Sequence, residues 1–177
     1  MLIYLGHPIS DKANKLHSKK ITKSIRELGF EVYAAAENDS INDKGGQATE
    51  VTPELIYDGD IPKVISSDLF VVNITGGNQD GTNSEIGVVA GWNEALKLYN
   101  ELIRLLNAQN GCKDLLAELP YIKIIAYSTN ERIMSPQHFK GIASASANHL
   151  ILGEIEKWGT FVGNEDDMLE YLKHIDK

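Results

Sequence analysis

Short apolar runs alternate along the chain with segments in which apolar residues recur every three or four positions. Continuous apolar runs are typical of buried strands, and the longer period is typical of helices with one apolar face. The runs predict five strands, at Leu2–Leu5, Glu31–Ala35, Asp68–Ile74, Tyr121–Tyr127 and Leu150–Leu152.

The periodic segments predict four helices. Ala13–Leu28 is followed by a glycine, a common C-terminal stop, and Asn83–Leu106 keeps the helical spacing over a long span. Pro53–Ser66 shows a weaker pattern, and Pro62 within it favours a break or a kink. The last helix is expected to begin near Asn164, whose residue type is a good N-cap.

Strands that alternate with helices indicate a parallel sheet covered on both faces. Five such strands predict a flavodoxin-like, doubly wound α/β fold, and the length suits one domain over residues 1–177. Ligands of this fold bind beyond the carboxyl ends of the strands. The loops expected there are Gly6–Ser10, Ala36–Gly46, Thr75–Glu85 and Ser128–Ser135.

Charge and composition narrow the classes of function. The formal net charge is −8, and lysine and arginine form no basic stripe, which disfavours polymeric nucleic acid as a partner. Cys112 is the only cysteine, which excludes an internal disulfide and a cysteine zinc cluster. The N-terminus has no signal-peptide pattern and no apolar run is long enough for a bilayer, so we expect a cytoplasmic protein with a small ligand.

The glycine-containing segment Thr75–Gly87 follows the third predicted strand and opens a helix. Glycines there allow a ligand close to the backbone, although neither a Walker lysine nor GxGxxG is present. Glu85 has two interpretations. Thr82–Glu85 matches a capping box, in which Glu85 only caps the helix. Alternatively, the helix N-terminus keeps the Glu85 carboxylate ionised, as a nucleophile requires.

Other polar residues also have structural interpretations. Tyr4 lies in a predicted strand, where core packing is its default, and Asp60 lies in a helix-like stretch, where a solvated carboxylate is usual. His7 follows the first strand and is placed to touch a ligand. The other histidines share no metal-ligand spacing and are interpreted as surface or core residues: His17, His138, His149 and His174.

Taken together, several segments resemble the nucleoside 2-deoxyribosyltransferase family. The resemblance extends from residue 1 to about residue 91. The matching segments are Leu2–Pro8, Glu37-Asn38, Asp60-x₃-Val64-x₃-Asp68, and Asp80-Gly81-Thr82-x₂-Glu85-Ile86-Gly87.

The resemblance implies a role for each matching residue. Glu85 corresponds to the nucleophile, Tyr4 to a tyrosine that holds its carboxylate, and Asp60 to an aspartate near base and sugar. Asn38 and Asp39 fall where the family contacts the base. The matching loops imply further substrate contacts at Gly6, His7 and Gly81.

The resemblance also implies active sites shared between subunits of a homodimer or a larger homo-oligomer. Asn148–Leu150 resembles a segment that a neighbouring subunit inserts into the site, with Leu150 in place of a methionine. The apolar face of Asn83–Leu106, with Trp92 and Tyr99, is a candidate two-fold interface.

The sequence departs from the family pattern in two places. Gln79 stands six residues before the nucleophile, where the family usually has an aspartate, and Asp80 stands five before it. The segment Gly91–Pro120 is longer than usual in the family, which affects either the pocket rim or the subunit contacts.

The reaction that the family performs suits this set of residues. Glu85 would capture C1′ of a 2′-deoxynucleoside as the base leaves, and a second nucleobase would then displace it with overall retention. Asp60 is the first candidate for the general acid and Asp80 the second, and neither a metal nor a cofactor is required. Two alternatives stay open: an N-glycoside hydrolase that acts on nucleoside 5′-monophosphates, and a non-catalytic nucleotide sensor.

Overall fold

The computed structural model of the chain describes residues 1–38, 52–75, 79–109, 116–134, 138–139, 142–143 and 147–176. The strands of the main sheet are β1 (Leu2–Gly6), β2 (Glu31–Ala34), β3 (Leu69–Asn73), β4 (Lys123–Tyr127) and β7 (Gly159–Phe161). Two short strands form a separate antiparallel pair, β5 (His138–Phe139) and β6 (Ile142–Ala143).

The α-helices of the described residues are α1 (Lys12–Glu27), α2 (Pro53–Ile65), α3 (Asp80–Gln109), α4 (Glu131–Met134), α5 (His149–Trp158) and α6 (Glu165–Lys173). Ala35–Glu37 forms one 3-10 turn after β2. Within the described ranges, no helix combines the length and apolar character that a bilayer span requires.

The main sheet is parallel throughout and has the strand order β2-β1-β3-β4-β7. This order reverses direction at β1 and β3, as in flavodoxin-like folds, and confirms the predicted fold. The carboxyl ends of β1 and β3 lie side by side, since Leu5 pairs with Val71 and Gly6 with Val72. Loops that leave these two ends therefore meet at the switch point of the sheet.

Alternation along β1 and β3 divides the core into two layers. Ile3 and Leu5 face one layer, which α1 and α6 cover, whereas Tyr4 and Phe70 face the other, which α2, α3 and α5 cover. The helices supply buried residues to these layers, namely Ile21, Ile25, Met168 and Leu172 to the first and Val64, Ile86, Val89 and Ile155 to the second.

The fifth strand lies elsewhere than predicted. Leu150–Leu152 belongs to α5, because Asn148 caps that helix and its apolar residues recur at helical spacing. The strand is β7, which begins directly after α5. Gly159 suits this position, since a Cβ built there would lie 1.7 Å from the carbonyl oxygen of Ile124 in β4. Pro62, where a break or a kink was predicted, does not end α2, which continues to Ile65.

The predicted α6 is confirmed at Asn164, which forms a complete capping box with Asp167. In contrast, α3 begins three residues before the predicted Asn83 and ends three residues after Leu106. Its early start places Thr82 within the helix, so that Thr82 is no N-cap. The capping-box interpretation of Glu85 is therefore wrong.

Asparagines of α3 bind the extended segment that leads into β4. Asn93 accepts from the backbone N–H of Ile122 and donates to its carbonyl, at 2.9 and 2.8 Å. Asn100 does the same with Leu119, at 2.8 and 2.9 Å, and Asn107 with Leu116. Seven helical residues rise about 10.5 Å, and three extended residues span about 10 Å. The two spacings therefore match, and this pairing accounts for much of the long segment between Gly91 and Pro120.

Candidate active site

A cavity of about 540 Å³ lies over the carboxyl ends of β1 and β2, next to the switch point of the sheet. Its volume is in the range of pockets that hold small ligands. It is bounded by the loop after β1, the 3-10 turn after β2, helix α2 and the first turns of α3. Polar and charged side chains on its wall include His7, Ser10, Lys15, Asp60, Asp80, Ser84 and Glu85.

Glu85 lies in the second turn of α3, and Tyr4 fixes its carboxylate. The Tyr4 hydroxyl donates to Oε1 of Glu85 at 2.7 Å. The Tyr4 ring is fully buried, stacks on Tyr33 with ring centroids 5.4 Å apart, and contacts Phe70. The hydroxyl therefore has little freedom, and it holds the carboxylate in one orientation at the wall of the cavity.

Gly6 makes room for this carboxylate at the end of β1. A Cβ built on Gly6 would lie 2.8 Å from Cζ of Phe70 and 3.2 Å from Oε2 of Glu85. Any larger residue would thus press on the Phe70 ring and on the carboxylate oxygen that Tyr4 does not hold. Gly6 lies beside the carboxylate, where the sequence placed a substrate contact.

Asp60 belongs to a second chain of hydrogen bonds beside the first. Tyr33 donates its hydroxyl proton to Oδ1 of Asp60 at 2.8 Å and accepts from the Asn38 amide at 3.1 Å. Tyr33 also stacks on Tyr4. Of these two neighbouring tyrosines, Tyr4 donates to Glu85 and Tyr33 donates to Asp60. The structure thus brings together four residues for which the resemblance implies roles at the site: Tyr4, Glu85, Asp60 and Asn38.

Burial changes the acidity of this cluster. It raises the pKa of Glu85 from 4.5 to about 7; the Tyr4 hydrogen bond lowers this pKa, and the charge of Asp60 raises it further. Burial likewise raises the pKa of Asp60, which the Tyr33 hydrogen bond lowers. The pKa of Tyr33 rises to about 12, chiefly through burial, and that of Tyr4 also rises. Both tyrosines therefore remain protonated donors at neutral pH.

The first turn of α3 forms another part of the wall. Asp80 is the first helical residue and is exposed, and Gly81 follows it with nothing within 4 Å of a Cβ built there. Both line the cavity. Gln79 also lines it, but its side chain is buried and donates to the Thr75 hydroxyl. Of the two neighbours, Asp80 is the one that presents a carboxyl group at the surface of this turn.

His7 lies in the cavity wall, but its ring nitrogens already have partners. The residue is 6% exposed; Nδ1 lies 2.7 Å from the Pro8 carbonyl oxygen, and Nε2 lies 2.7 Å from Nδ1 of His17. Burial lowers the pKa of His7 to about 4. A ligand contact at His7 stays a prediction, and its contacts indicate a part in shaping the loop.

Two of the predicted contacts lie outside this cluster. Asn148 caps α5, where its side-chain oxygen accepts from the backbone N–H of Leu150 at 2.8 Å, and Leu150 is 70% exposed. Neither residue lines the cavity of its own chain. Asp39 lies outside the described residues.

Sequence reasoning missed three polar residues at or next to this cavity. Tyr33 holds Asp60, Lys15 lines the cavity, and His17 contacts His7. Each side chain comes from a secondary-structure element whose pattern indicated only packing or solvation. The register of β1 with β2 gives the clearest signal for Tyr33, because parallel pairing places it opposite Tyr4. Among the described residues, no group of His, Cys, Asp and Glu has the arrangement of a metal site.

The fold and the cavity define an α/β protein with a tyrosine-held glutamate at the switch point of a flavodoxin-like sheet. The model of the family described as nucleoside 2-deoxyribosyltransferase matches residues 3–149. The chain belongs to this family. No curated protein matches the chain.

Three solved structures share the fold. A conserved protein from Enterococcus faecalis V583 has 24% sequence identity and a TM-score of 0.66, covering 98% of this chain and 97% of its own. A 2-deoxyribosyltransferase from Bacillus psychrosaccharolyticus has 15% identity and a TM-score of 0.59, with coverages of 99% and 93%. A CMP N-glycosidase from Clostridium botulinum has 16% identity and a TM-score of 0.55, with coverages of 99% and 100%.

Proposed function

We propose that the protein transfers 2-deoxyribose between nucleobases, with Glu85 as the covalent nucleophile. The observation that carries this proposal is the hydrogen bond from Tyr4 to Oε1 of Glu85, which leaves Oε2 beside Gly6 at the cavity. A carboxylate that only capped a helix would bind backbone N–H groups instead. The cavity has the size for a nucleoside, and family membership supports an N-glycosidic bond as the target.

In the first half-reaction, Oε2 of ionised Glu85 forms a bond to C1′ while the bond from C1′ to the base nitrogen breaks. The electron pair of that bond goes to the base, which takes a proton from Asp60. Burial raises the pKa of Asp60, as a proton donor requires, and Tyr33 occupies Oδ1, which leaves Oδ2 for the base. The products are a free base and a deoxyribosyl ester of Glu85.

In the second half-reaction, a nitrogen of another base attacks C1′ and the ester bond to Glu85 breaks. The Asp60 carboxylate accepts the proton that the incoming base loses. Two inversions at C1′ give overall retention. Asp80 is the alternative acid, since it lines the same cavity about one helical turn from Glu85. A 2′-deoxy sugar suits this small set of groups, because a 2′-hydroxyl would disfavour the oxocarbenium-like transition state.

A second candidate function is hydrolysis of a nucleoside 5′-monophosphate. Lys15 favours it, because this lysine and the serines Ser10 and Ser84 all line the cavity. The sequence alone indicated sparse positive charge near those serines, and Lys15 supplies one such charge. A lysine ammonium group and serine hydroxyls are suitable donors to a phosphate.

Two parallel incubations distinguish the transferase, the hydrolase and the sensor. The protein is mixed with deoxyinosine and adenine, and in parallel with deoxyinosine 5′-monophosphate, and the products are separated by chromatography. Deoxyadenosine in the first mixture supports the transferase. Hypoxanthine release only from the monophosphate, without exchange, supports the hydrolase and contradicts the transferase. No product in either mixture contradicts both enzymes and supports a non-catalytic nucleotide sensor.

We also propose that a second copy of the chain completes the site. The outward face of α3 carries Gly87 and Gly91 and continues with exposed leucines. A Cβ built on either glycine meets nothing within 4 Å, so another helix can approach closely. These glycines and Leu150 line one groove of about 480 Å³, which begins two residues after Glu85 on the same helix. The exposed apolar residues along α3 are Trp92, Leu98, Tyr99, Leu102 and Leu105.

A further inference from the structure

Four side chains form a hydrogen-bonded chain that runs from the cavity wall to the surface. Nε2 of His7 lies 2.7 Å from Nδ1 of His17, and Nε2 of His17 lies 2.5 Å from Oε2 of Glu165 at the start of α6. Lys20 binds the other oxygen of Glu165 at 2.6 Å. The first two residues come from the loop after β1 and from α1, which follows it, whereas Glu165 comes from α6 near the other end of the chain. We call them the histidine chain: His7, His17 and Glu165.

The hydrogen bonds of the histidine chain determine how many protons its two imidazole rings carry. Nδ1 of His7 faces the Pro8 carbonyl oxygen and must therefore donate a proton to it. Nε2 of His7 lies 3.0 Å from the Asn73 amide nitrogen, which is a donor, so this ring nitrogen is an acceptor, and its single lone pair faces the shorter contact, to His17. Nδ1 of His17 must then donate to that lone pair, and Nε2 of His17 must donate to the Glu165 carboxylate. Three contacts require three protons, and two neutral imidazoles carry only two.

His17 is therefore an imidazolium paired with Glu165, whereas His7 is a neutral ring with its proton on Nδ1. Burial of His7 agrees with this distribution, because it keeps the charge off the deeper ring. Lys20 favours an ionised Glu165, and the pKa of Glu165 is lowered mainly by this lysine. The charged or titratable groups that face the pair are Asp11, Lys20, Tyr127 and Glu165.

The histidine chain ends at the loop after β1, which forms part of the cavity wall. His7 holds the Pro8 carbonyl, and Pro8, Ile9 and Ser10 all line the cavity. The wall belongs to a loop that joins β1 to α1, and the Asp11 side chain caps α1 directly after it. A shift of the His7 ring would therefore move the surface against which a ligand packs, without touching Glu85 or its tyrosine.

We propose that His17 and Glu165 are positioning residues that hold this wall through a protonated His17, so that substrate affinity depends on a contact far from the reacting atoms. The step from wall to substrate rests on the proposed function, whereas the proton count does not. Loss of the Glu165 charge removes the partner of the imidazolium, so His17 keeps one proton for two contacts, and the contact that holds His7 is weakened.

The proton count is tested by ¹⁵N spectra of histidine side chains at neutral pH. We expect His7 to be protonated on Nδ1 alone and His17 on both nitrogens, and Glu165→Gln to remove the second proton of His17. In Glu165→Gln the backbone amide signals of Ile9 and Ser10 should shift, and they should shift further in His17→Leu, which has no donor to His7. A wild-type His17 with one proton, or a His17→Leu variant with unmoved Ile9 and Ser10 signals, would overturn the proposal.

The effect on substrate is tested by steady-state kinetics of Glu165→Gln and His17→Leu. We expect KM for the deoxynucleoside to rise about tenfold, as the loss of one charged hydrogen bond predicts, with kcat changed less than about threefold. Glu118→Gln is the matched control, because Glu118 is also ion-paired, with Arg104, but is not part of the histidine chain. An equal KM in Glu165→Gln and Glu118→Gln would contradict a positioning role.

The two tests also distinguish this proposal from the proposed function. If wild-type protein processes no nucleoside or nucleotide, the proposed function fails, and the histidine spectra and the two loop amides still decide the proton count and its effect on the wall. If His17→Leu does not fold, Glu165→Gln carries both tests alone, since an amide replaces the carboxylate at nearly the same volume.

Discussion

At the scale of single residues, the site consists of two acids with matched tyrosines. Tyr4 and Tyr33 are paired in register across β1 and β2, stack on each other, and donate to Glu85 and Asp60 respectively. The two acids have different tasks in the proposed reaction, because one must lose its proton and the other must keep it. Burial raises the pKa of both acids, to about 7 for Glu85, so Glu85 has to lose its proton before it can attack, and the pH profile of activity reports that step.

Tyr4→Phe tests the hold on the nucleophile. The Tyr4 hydrogen bond lowers the pKa of Glu85, so its loss should raise that pKa and shift the acid limb of the activity profile to higher pH. A charged hydrogen bond of typical strength predicts a shift of about one to two pH units. Tyr127→Phe is the control, since Tyr127 is an equally buried sheet tyrosine whose hydroxyl has no hydrogen-bond partner among the described residues. Equal pH profiles of activity for Tyr4→Phe and Tyr127→Phe would contradict the role of Tyr4 in holding the Glu85 carboxylate.

Glu85→Gln tests whether the raised pKa of Glu85 lowers the stability of the folded protein. Because the pKa of Glu85 is raised from 4.5 to about 7, its stabilising contribution is complete below pH 4.5 and is lost as the pH rises through 7. The variant should therefore gain stability relative to wild type as the pH increases, by up to about 3 kcal/mol between about pH 4.5 and 8. Urea unfolding at both pH values measures this difference. A constant difference would mean that Glu85 is not held in a disfavoured charge state.

At the scale of secondary-structure elements, most of the sheet was predictable and its last strand was not. Four strands carry continuous apolar runs, which the sequence displays directly. β7 has only three residues, and Leu150–Leu152 offered a stronger apolar run just before it. Asn148 distinguishes the two assignments, because an N-cap residue before an apolar segment starts a helix. Tyr33 at the site was missed for a related reason, since only strand pairing places it beside Tyr4.

The asparagine pairs of α3 predict a graded effect on stability. Asn100 is 2% exposed and satisfies both backbone groups of Leu119, so Asn100→Leu should lower the free energy of unfolding by about 2–4 kcal/mol. Asn107 makes the same pair of bonds with Leu116 at the surface, and Asn107→Leu should cost under about 1 kcal/mol. Chemical denaturation checks both values. Similar costs for the two variants would contradict burial as the cause.

At the scale of the whole molecule, the central question is whether one chain contains a complete site. Glu85 and Asp60 lie at the cavity, whereas Asn148 and Leu150 lie on the groove side of α5 or next to it. A two-fold dimer through α3 would bring the groove of one chain towards the cavity of the other.

Mixed dimers test this arrangement. Glu85→Ala and Asn148→Ala subunits should each be inactive or nearly so, but after subunit exchange about half of the dimers carry one intact site. Activity should return to roughly a quarter of wild type. Asn164→Ala is the control for a lost helix cap, because Asn164 caps α6, away from the cavity, and the variant should keep its kcat in its own homodimer. No recovery after verified exchange, or a monomer by light scattering, would contradict the shared site.

The most direct test of the central claim is mass spectrometry of the covalent intermediate. Wild-type protein is mixed with deoxyinosine without an acceptor base, quenched with acid and digested. The proposal predicts one added 2-deoxyribosyl group on the peptide that contains Glu85, and no such group in Glu85→Gln. Base release without any adduct on that peptide, or an adduct that persists in Glu85→Gln, would contradict Glu85 as the nucleophile.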